Sequence, residues 1–353
     1  MTLTVLSLFD GISCGRLALD RLGIKCKYYA SEVDKYALQV SKEQWPDTIH
    51  LGDVRNVRYV RHTKQLVCDT GVYDVGDIDL LIGGSPCQGF SQCGQHTNFE
   101  HSESQLIYEF ERIRNECRPR YLLLENVSMK AEARELISGM MSGTPNVKLY
   151  DLNSDKWVCQ HRRRLYWTNI PFDPNDIHTT HPLYLKELIG DEYEGVCMLK
   201  HSSVWKNEER YKIVPDRRMA CTITKSTYFK NHAWMKDGKR TNYTIEHLER
   251  LQTLPVGYTV PAGSKTQRAF CVGNGWTVAV IEDIFSGMIC NGRVRGTNQA
   301  QKGISNWMVS AKQRAIECQG KTILCRQQGQ AQKRITAIPV LSALWNLCEK
   351  VRS

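Results

Sequence analysis

The chain has 353 residues, of which 41% are apolar, and its formal net charge is +10. This length is enough to bury one large core or two smaller ones, and no uncharged apolar run is long enough to span a membrane. The 14 cysteines are scattered without a Cys-x-x-Cys pair, which argues against a structural zinc site and a disulfide framework, so we expect no metal. Because the first ten residues lack the basic region of a signal peptide, we also expect a cytoplasmic protein.

The positive charge is concentrated at the end of the chain. From residue 291 onward, eleven Lys and Arg residues stand against two Glu residues, which leaves a net charge of +9 on this segment. A basic segment favours a polyanionic partner, because neutralising phosphates releases counterions. A solvated extension without any ligand is an equally weighted alternative.

Short apolar strands alternate with amphipathic helices over the first 170 residues. This alternation predicts an α/β fold, a doubly wound and mostly parallel sheet with helices on both faces. The predicted strands are residues 4–8, 26–31, 49–51, 79–82, 121–124 and 165–170, and the predicted helices are residues 16–22, 36–44 and 106–117. In such sheets ligands bind beyond the carboxyl ends of the strands, so the residues just after each strand are the expected functional residues.

The apolar pattern loosens after the predicted sheet. The next segment is rich in aromatic, amide and basic side chains, which predicts a small, loop-rich insertion, and helical periodicity returns at residues 245–254 and 276–288. We therefore divide the chain into a catalytic core (1–170), an inserted lobe (171–244), a return to the core (245–290) and a basic extension (291–353).

Acidic residues follow the first three predicted strands. Asp10 lies in the turn FDGISCG (9–15), Glu32 follows the second strand and Asp53 follows the third. Any one of these acids is more often a helix N-cap than a ligand. Three acids at successive strand ends favour a nucleoside, because a carboxylate accepts from ribose hydroxyls or from an exocyclic amine. The spacing indicates an adenosine-bearing cofactor, although the turn lacks the G-x-G-x-x-G fingerprint of dinucleotide sites.

A thiol and a carboxylate follow the next two predicted strands. Cys87 lies in GGSPCQGFSQCG (83–94), and Glu125 follows a run of three leucines, where a carboxylate is costly unless it is paired or used. Together they suit attack of a thiolate on a ring followed by protonation of that ring. The cations of QHRRR (160–164) could contact phosphates and lower the pKa of the thiol from about 8.5. The alternative for Cys87 is a buried structural thiol.

These residues lie in stretches that resemble the DNA (cytosine-5) methyltransferases, and especially the catalytic domains of the vertebrate de novo enzymes. The matching stretches keep the order of the family and cover roughly residues 1–290, whereas the basic extension has no counterpart. They are SLFDG (7–11), GSPCQGFS (84–91), LENV (124–127), HRRRLYW (161–167), TITKS (222–226), LPVGYT (254–259) and VGNGWTV (272–278).

The resemblance implies S-adenosylmethionine as the methyl donor. Glu32 would hold the ribose hydroxyls, Val33 would pack on the adenine and Asp53 would accept from the adenine amine. The full implied set of cofactor-binding residues is Phe9, Asp10, Gly11, Ile12, Glu32, Val33, Asp53, Val54, Asn274, Gly275 and Trp276.

The resemblance also implies a covalent mechanism on a cytosine that is flipped out of double-stranded DNA. Cys87 would attack C6, Glu125 would protonate or hydrogen-bond the base at N3 and at the exocyclic amine, and Arg164 would hold the base oxygen with Arg162 close by. The implied substrate-binding residues in the core are Pro86, Gln88, Ser91 and Asn126. In the inserted lobe the mix of basic, amide and aromatic side chains favours a target-recognition lobe with Arg218, Lys225 and Ser226 near the DNA, and a decorated loop is the alternative.

Two alternatives to a DNA methyltransferase remain open. One branch of the same family acts on tRNA, although QGFS (88–91) resembles the DNA branch more closely. A catalytically inactive relative that only binds DNA is the other alternative, and intact Cys87, Glu125, Arg162 and Arg164 argue against it. The compact chain favours a monomeric bacterial or phage enzyme of a restriction-modification type that is associated with the nucleoid.

Overall fold

The computed structural model describes residues 2–86, 106–177, 181–199, 211–215, 218–224 and 233–291. Five of the residues predicted to act in the site or in DNA binding lie outside these ranges, as does the basic extension from residue 292 onward. The five residues are Cys87, Gln88, Ser91, Lys225 and Ser226.

The described strands and helices begin and end as follows. In chain order the strands are β1 (Leu3–Leu8), β2 (Cys26–Ser31), β3 (Ile49–Gly52), β4 (Arg58–Val60), β5 (Gln65–Cys68), β6 (Gly71–Asp74), β7 (Leu80–Gly83), β8 (Tyr121–Val127), β9 (Lys148–Asn153), β10 (Arg163–Thr168), β11 (Gly195–Leu199), β12 (Tyr211–Pro215), β13 (Ala233–Lys236) and β14 (Lys239–Asn242). The helices are α1 (Cys14–Arg21), α2 (Lys35–Gln44), α3 (Ile107–Cys117), α4 (Ala131–Met141), α5 (Leu185–Ile189), α6 (Ile245–Leu251), α7 (Lys265–Asn274) and α8 (Val278–Asn291).

A seven-stranded sheet with the order β3-β2-β1-β7-β8-β10-β9 forms the centre of the fold. Its neighbouring strands pair in parallel from β3 to β8, and β10 runs antiparallel to both β8 and β9. The predicted mostly parallel α/β sheet is therefore confirmed. The strand order reverses between β1 and β7, so the turns that leave these two strands open a crevice at the carboxyl edge of the sheet.

Helices cover both faces of this sheet because side chains alternate between the faces along each strand. On one face Val5, Ile82 and Leu123 belong to a fully buried cluster that takes in residues from α1, α2 and α8. On the other face Leu81 and Leu122 belong to a second buried cluster with residues from α3 and α4. A buried core therefore lies on each face of the sheet, and in the described part of the chain helices do not cover the carboxyl edge in the same way.

Strand β8 is longer than the sequence predicted. The apolar run ends at Leu124, but the strand continues to Val127 because β10 pairs with it in antiparallel register, Tyr166 opposite Glu125 and Leu165 opposite Asn126. Glu125 and Asn126 therefore lie inside a strand and not after one. The prediction that they follow the strand was wrong, because a local apolar pattern does not reveal a pairing partner almost forty residues away in the chain.

Two smaller sheets lie outside the predicted elements. The segment predicted as a loop-rich insertion contains an antiparallel sheet with the order β12-β11-β13-β14, so the interpretation as loops was wrong. A three-stranded antiparallel sheet, β4-β5-β6, lies between β3 and β7 in the chain. All seven strands have three to five residues, too few for a clear alternating pattern, and strand β6 is largely exposed.

In the part of the chain that the structure describes, no helix combines the length and the apolar character that crossing a membrane requires.

Candidate active site

The turn after β1 begins the site at the carboxyl edge of the sheet. Phe9, Gly11 and Ser13 all have positive φ angles near 60°, so the chain doubles back tightly before α1 begins. The carboxylate of Asp10 stabilises this turn from the inside by accepting from the hydroxyls of Ser7 (2.6 Å), Ser13 (2.5 Å) and Tyr28 (2.8 Å). Burial raises the pKa of Asp10 above its ordinary value, and these three hydrogen bonds partly offset that effect.

Glu32 joins the turn after β1 to the end of β2. One carboxylate oxygen accepts from the backbone N–H of Gly11 at 2.7 Å, and the other accepts from the N–H groups of Val33 and Asp34, both at 2.8 Å. Burial is the main cause of the raised pKa of Glu32, and the backbone donors lower it in part. Val33, the next residue, is 68% exposed, which is unusual for a valine side chain. It presents an apolar surface beside the carboxylate.

Asp53 directly follows strand β3. Its carboxylate caps the short 3₁₀ helix Val54–Asn56 by accepting from Arg55 N at 3.0 Å, and it also pairs with the Arg55 guanidinium. This pairing holds the pKa of Asp53 below its ordinary value. Val54 is buried in the core, whereas the Arg55 side chain is 68% exposed. The N-cap interpretation therefore holds for Asp53, whose side chain pairs with Arg55 and remains 24% exposed.

The segment after α7 packs against the turn after β1. Asn274 ends α7 and is exposed, and Gly275 lies so close to Ile12 and Cys14 that a Cβ there would be 3.3 Å from a side-chain atom of each. Trp276 follows and donates its indole N–H to Glu125 at 3.1 Å. The structure thus brings residues 274–276 to the predicted cofactor residues near the start of the chain.

Glu125 lies at the centre of a group of polar side chains. Arg164 Nε is 3.1 Å from Glu125 Oε1, and the Trp276 indole N–H donates to Oε2, so each carboxylate oxygen has a partner. Both members of the ion pair are largely buried, with side-chain exposures of 11% for Glu125 and 14% for Arg164. A buried carboxylate with two donors holds a fixed orientation.

The loop after β7 runs past this carboxylate. Gly84 has no room for a side chain, because a Cβ would lie 2.9 Å from Trp276 Nε1 and 3.1 Å from Glu125 Oε2. Asn126 donates its side-chain amide to the Ser85 hydroxyl at 3.1 Å, and Pro86 follows, half-buried. The polar side chains of β8 therefore contact the loop just before Cys87, the next residue in the chain.

Arg162 points into the protein and not along the carboxyl edge. Its guanidinium donates to the carbonyl oxygens of Ile223 (2.6 Å), Gly275 (2.9 Å) and Gly273 (3.2 Å). Burial, together with the nearby charge of Arg164, lowers the pKa of Arg162 to about 9, and burial is the larger cause. These contacts join the segment 218–224 to the turn that carries Trp276.

Arg218 is exposed, in agreement with a surface contact. Its guanidinium lies over the ring of Tyr184 at 5.1 Å, a cation–π arrangement that leaves the charge accessible to solvent.

Comparison with known proteins identifies the class of protein. Residues 3–166 match the sequence profile of the C-5 cytosine-specific DNA methylases. The matched part of the chain carries the domain of this family. Together with the curated relatives, the match identifies the protein as a DNA (cytosine-5) methyltransferase.

Its curated relatives include bacterial type II methyltransferases. The chain is 26% identical over 318 residues to the type II methyltransferase M1.ScrFI of Lactococcus lactis subsp. cremoris, a match that covers 81% of this chain and 77% of the relative. It is also 26% identical over 321 residues to M.BsuFI of Bacillus subtilis, with 81% and 72% covered. A shorter match, 34% over 128 residues, covers 35% of this chain and 23% of the orphan methyltransferase M.Rho11sI of Bacillus phage rho11s.

Solved structures share the fold of the enzyme. The S. pombe Dnmt2 methyltransferase aligns with a TM-score of 0.60 at 18% identity and covers 82% of this chain and 99% of its own. A putative DNA modification methyltransferase from an E. coli prophage aligns with a TM-score of 0.54 at 18% identity and covers 82% and 99%. At these identities the likeness concerns the fold alone.

Sequence reasoning missed Tyr258, although it lies in one of the matching stretches of the enzyme. Its buried hydroxyl donates to the Ile12 carbonyl at 2.9 Å and accepts from the Trp45 indole at 2.9 Å. The fully buried carboxylate of Glu249 stabilises the loop around Tyr258, since it accepts from Gly257 N at 2.7 Å and from Arg268 at 3.1 Å. Tyr258 therefore stabilises the turn after β1 through its buried hydrogen bond to Ile12.

Replacing Tyr258 with phenylalanine tests this support. The change leaves the Ile12 carbonyl and the Trp45 indole without a buried partner, and we expect it to weaken S-adenosylmethionine binding by about fivefold to tenfold. Isothermal titration calorimetry gives the Kd. Tyr59→Phe is the matched control, because this buried tyrosine donates to the Gly76 carbonyl at 2.9 Å, away from the site. Equal Kd values for both variants would contradict the role of Tyr258.

Proposed function

We propose that the enzyme transfers the methyl group of S-adenosylmethionine to C5 of a cytosine flipped out of double-stranded DNA, through a covalent adduct with Cys87. The observation that carries this proposal is the orientation of Glu125. Its carboxylate, held between Arg164 and Trp276, lies against Gly84 in the loop that leads to Cys87. A thiol and an oriented carboxyl at one edge are what addition to a pyrimidine ring requires.

The residues at the ends of β1, β2 and β3 suit an adenosine-bearing methyl donor. Glu32 would accept from the ribose hydroxyls, the exposed Val33 would pack on the adenine, and Asp53 would accept from the adenine amine. The remaining cofactor contacts would come from Phe9, Asp10, Gly11, Ile12, Val54, Asn274, Gly275 and Trp276. Since the Asp10 side chain is committed to three hydroxyls, we assign its contribution to the backbone of the turn.

The complete cycle returns the protein groups to their starting state. The Cys87 thiolate forms a bond to C6, and the electron pair of the C5–C6 double bond becomes available at C5 while Glu125 hydrogen-bonds or protonates N3. When bound, S-adenosylmethionine supplies the methyl group that C5 accepts and leaves as S-adenosylhomocysteine with the electron pair of the broken S–C bond. A base then removes the proton from C5, the C5–C6 double bond re-forms, the C6–S bond breaks to restore the thiolate, and N3 returns any proton it took to Glu125.

Arg164 and Arg162 have different roles in this proposal. Arg164 holds Glu125 through its Nε, and one Nη1 N–H donates to the Arg163 carbonyl at 2.8 Å, so its remaining N–H groups would hold the base oxygen. Arg162 acts as a positioning residue, because its guanidinium donates to three backbone carbonyls and so holds the turn of Trp276 in place.

The inserted lobe would read the target sequence. Arg218 is exposed beside Tyr184, and Lys225 and Ser226 follow the segment that Arg162 holds, so all three would contact DNA. Pro86, Gln88, Ser91 and Asn126 would line the cytosine itself. Because the curated relatives include type II methyltransferases, we propose a role in restriction-modification for a monomer in the bacterial cytoplasm, without a metal.

Isotope transfer tests the function directly. Purified enzyme is incubated with S-adenosylmethionine bearing a deuterated methyl group and either duplex DNA or tRNA, and nucleosides are analysed by mass spectrometry. We expect the label in 5-methylcytosine from DNA. Label in RNA alone would move the enzyme to the tRNA branch, and no label in either would favour a binding-only relative.

Removing residues 292–353 tests whether the basic extension binds phosphates. The deletion keeps α8 intact and removes a net charge of +9, so we expect weaker binding to random duplex DNA and a shallower dependence of log K on log salt, by about 0.9 for each lost phosphate contact. Fluorescence anisotropy at several salt concentrations measures both. A full-length control in which the eleven Lys and Arg become Gln should match the deletion, and an unchanged slope in both would contradict the prediction.

A further inference from the structure

The tip of the β5-β6 hairpin contacts the end of β3. Asp69, in the turn between these strands, accepts from the backbone N–H of Asp53 at 3.1 Å through Oδ2 and from the Asn56 side-chain amide at 2.8 Å through Oδ1. Thr70 donates its hydroxyl to the His50 carbonyl at 2.9 Å. Two neighbouring hairpin residues therefore bind the chain on both sides of Gly52.

The contact is close enough to require glycine at position 52. Gly52 has a φ of +83°, and a Cβ there would lie 2.7 Å from Asp69 Oδ2. Ser31 also donates to the Gly52 carbonyl at 2.7 Å, so the residue before Asp53 is bound on the sheet side as well. The backbone of Asp53 is thus held between β2 and the hairpin.

The hairpin itself is anchored to the core. Leu66 of β5 is fully buried, and the ring of Tyr73 packs edge-on against Tyr29 of β2 with 6.3 Å between centroids. Gln65 and Asp74 add a cross-strand hydrogen bond of 2.8 Å. An anchored hairpin can impose a position on the turn it touches, whereas a loose one could not.

We infer that Asp69 is a positioning residue that sets the adenine specificity of the cofactor site through the backbone of Asp53. This inference rests on the proposed function, in which the Asp53 carboxylate accepts from the adenine amine. Asp69 does not touch the cofactor in this arrangement. It fixes the direction in which Asp53 presents its carboxylate, and a carboxylate selects an amine over a carbonyl only when its position is fixed.

The test compares two ligands that differ at C6 of the purine and at the neighbouring N1. S-adenosylhomocysteine carries an amine at C6, whereas its deaminated analogue carries a carbonyl oxygen there, which a carboxylate repels, and a proton on N1. Calorimetric Kd values of the full chain for both ligands give a discrimination ratio. We expect Asp69→Ala to lower this ratio by about tenfold, and Asp69→Asn to lower it less, because an amide keeps one of the two acceptors.

Asp74→Asn is the matched control, since it changes an aspartate of the same hairpin that bonds Gln65 and not the turn of Asp53. We expect the wild-type ratio for it. Asn56→Ala serves as a second variant if Asp69→Ala fails to fold, because it removes the donor to Asp69 Oδ1 and leaves the carboxylate in place. It should lower the ratio in the same direction.

Asp53→Ala separates failure of the inference from failure of the proposed function. An unchanged ratio in Asp53→Ala would show that Asp53 does not read the purine, which overturns the role of Asp53 in the proposed function together with the inference that rests on it, while the isotope-transfer experiment decides the methyl transfer independently. A lowered ratio in Asp53→Ala with a wild-type ratio in folded Asp69→Ala would overturn the inference alone. Equal weakening of both ligands in Asp69→Ala, with the ratio kept, would mean a structural role only and would also overturn it.

Discussion

Cys87→Ala is expected to abolish methylation while S-adenosylmethionine still binds. Without the thiolate no bond to C6 forms, C5 does not gain the electron pair, and the rate should fall by at least about a thousandfold. The Kd for the cofactor should stay within about twofold, because the residues assigned to that site lie on other turns. Steady-state methylation of duplex DNA and calorimetry measure the two quantities.

The adduct can also be observed directly. DNA with 5-fluorocytosine in place of cytosine should trap the wild-type enzyme after methyl transfer, because fluorine on C5 does not leave as a proton does. A complex that survives denaturing electrophoresis is expected with the wild type and is expected to be absent with Cys87→Ala. The buried Cys117 of helix α3 provides the control, since Cys117→Ala should still trap. Normal activity in Cys87→Ala would refute the covalent mechanism.

Glu125→Gln is expected to lower the methylation rate by about a hundredfold to ten-thousandfold, the usual range for loss of a general acid or base. Glutamine has nearly the same shape, so it remains beside Gly84. Its amide nitrogen, however, must face either the Arg164 guanidinium or the Trp276 indole, both of which are donors. The variant therefore loses the proton-transfer group, and the amide that replaces it no longer has the fixed orientation of the carboxylate.

The measurement is the single-turnover rate on duplex DNA, together with a thermal melt to select a temperature at which the variant is folded. Glu116→Gln is the matched control: this glutamate also pairs with an arginine, Arg112 at 2.6 Å, but on the far helix α3. It should keep the wild-type rate. A Glu125→Gln rate within tenfold of the wild type would remove Glu125 from the chemistry.

Six of the seven strands of the central sheet were predictable, because they contain short, largely apolar runs bounded by turn residues. Strand β9, with the sequence KLYDLN, mixes polar and apolar residues and was missed. The predicted strand 26–31 coincides with β2, and the strand 4–8 differs from β1 by one residue. The small sheets β4-β5-β6 and β12-β11-β13-β14 were missed, because strands of three to five residues carry little periodic signal. Tertiary contacts, not local pattern, hold them in place.

In the candidate site, too, the residue types could be predicted from the sequence and their contacts could not. Acids after three strands, and a thiol and a carboxylate in successive matching stretches, could be read from the order of residues alone. Their partners could not: Asp69 lies in a hairpin that the sequence did not indicate, and its contact with Asp53 depends on how that hairpin packs on β2. A short-range pattern carries no information about which surface of an element meets another.

By itself the sequence determined the fold class, the family and the residue types available for chemistry, because apolar periodicity and ordered motifs are local properties of the chain. Only the tertiary structure decided which groups meet. Trp276 reaches Glu125 across 151 residues, and Tyr258 reaches Ile12 across 246. Those contacts follow from the strand order of the sheet and the packing of its helices, which arise from the burial of the whole chain and not from any one stretch.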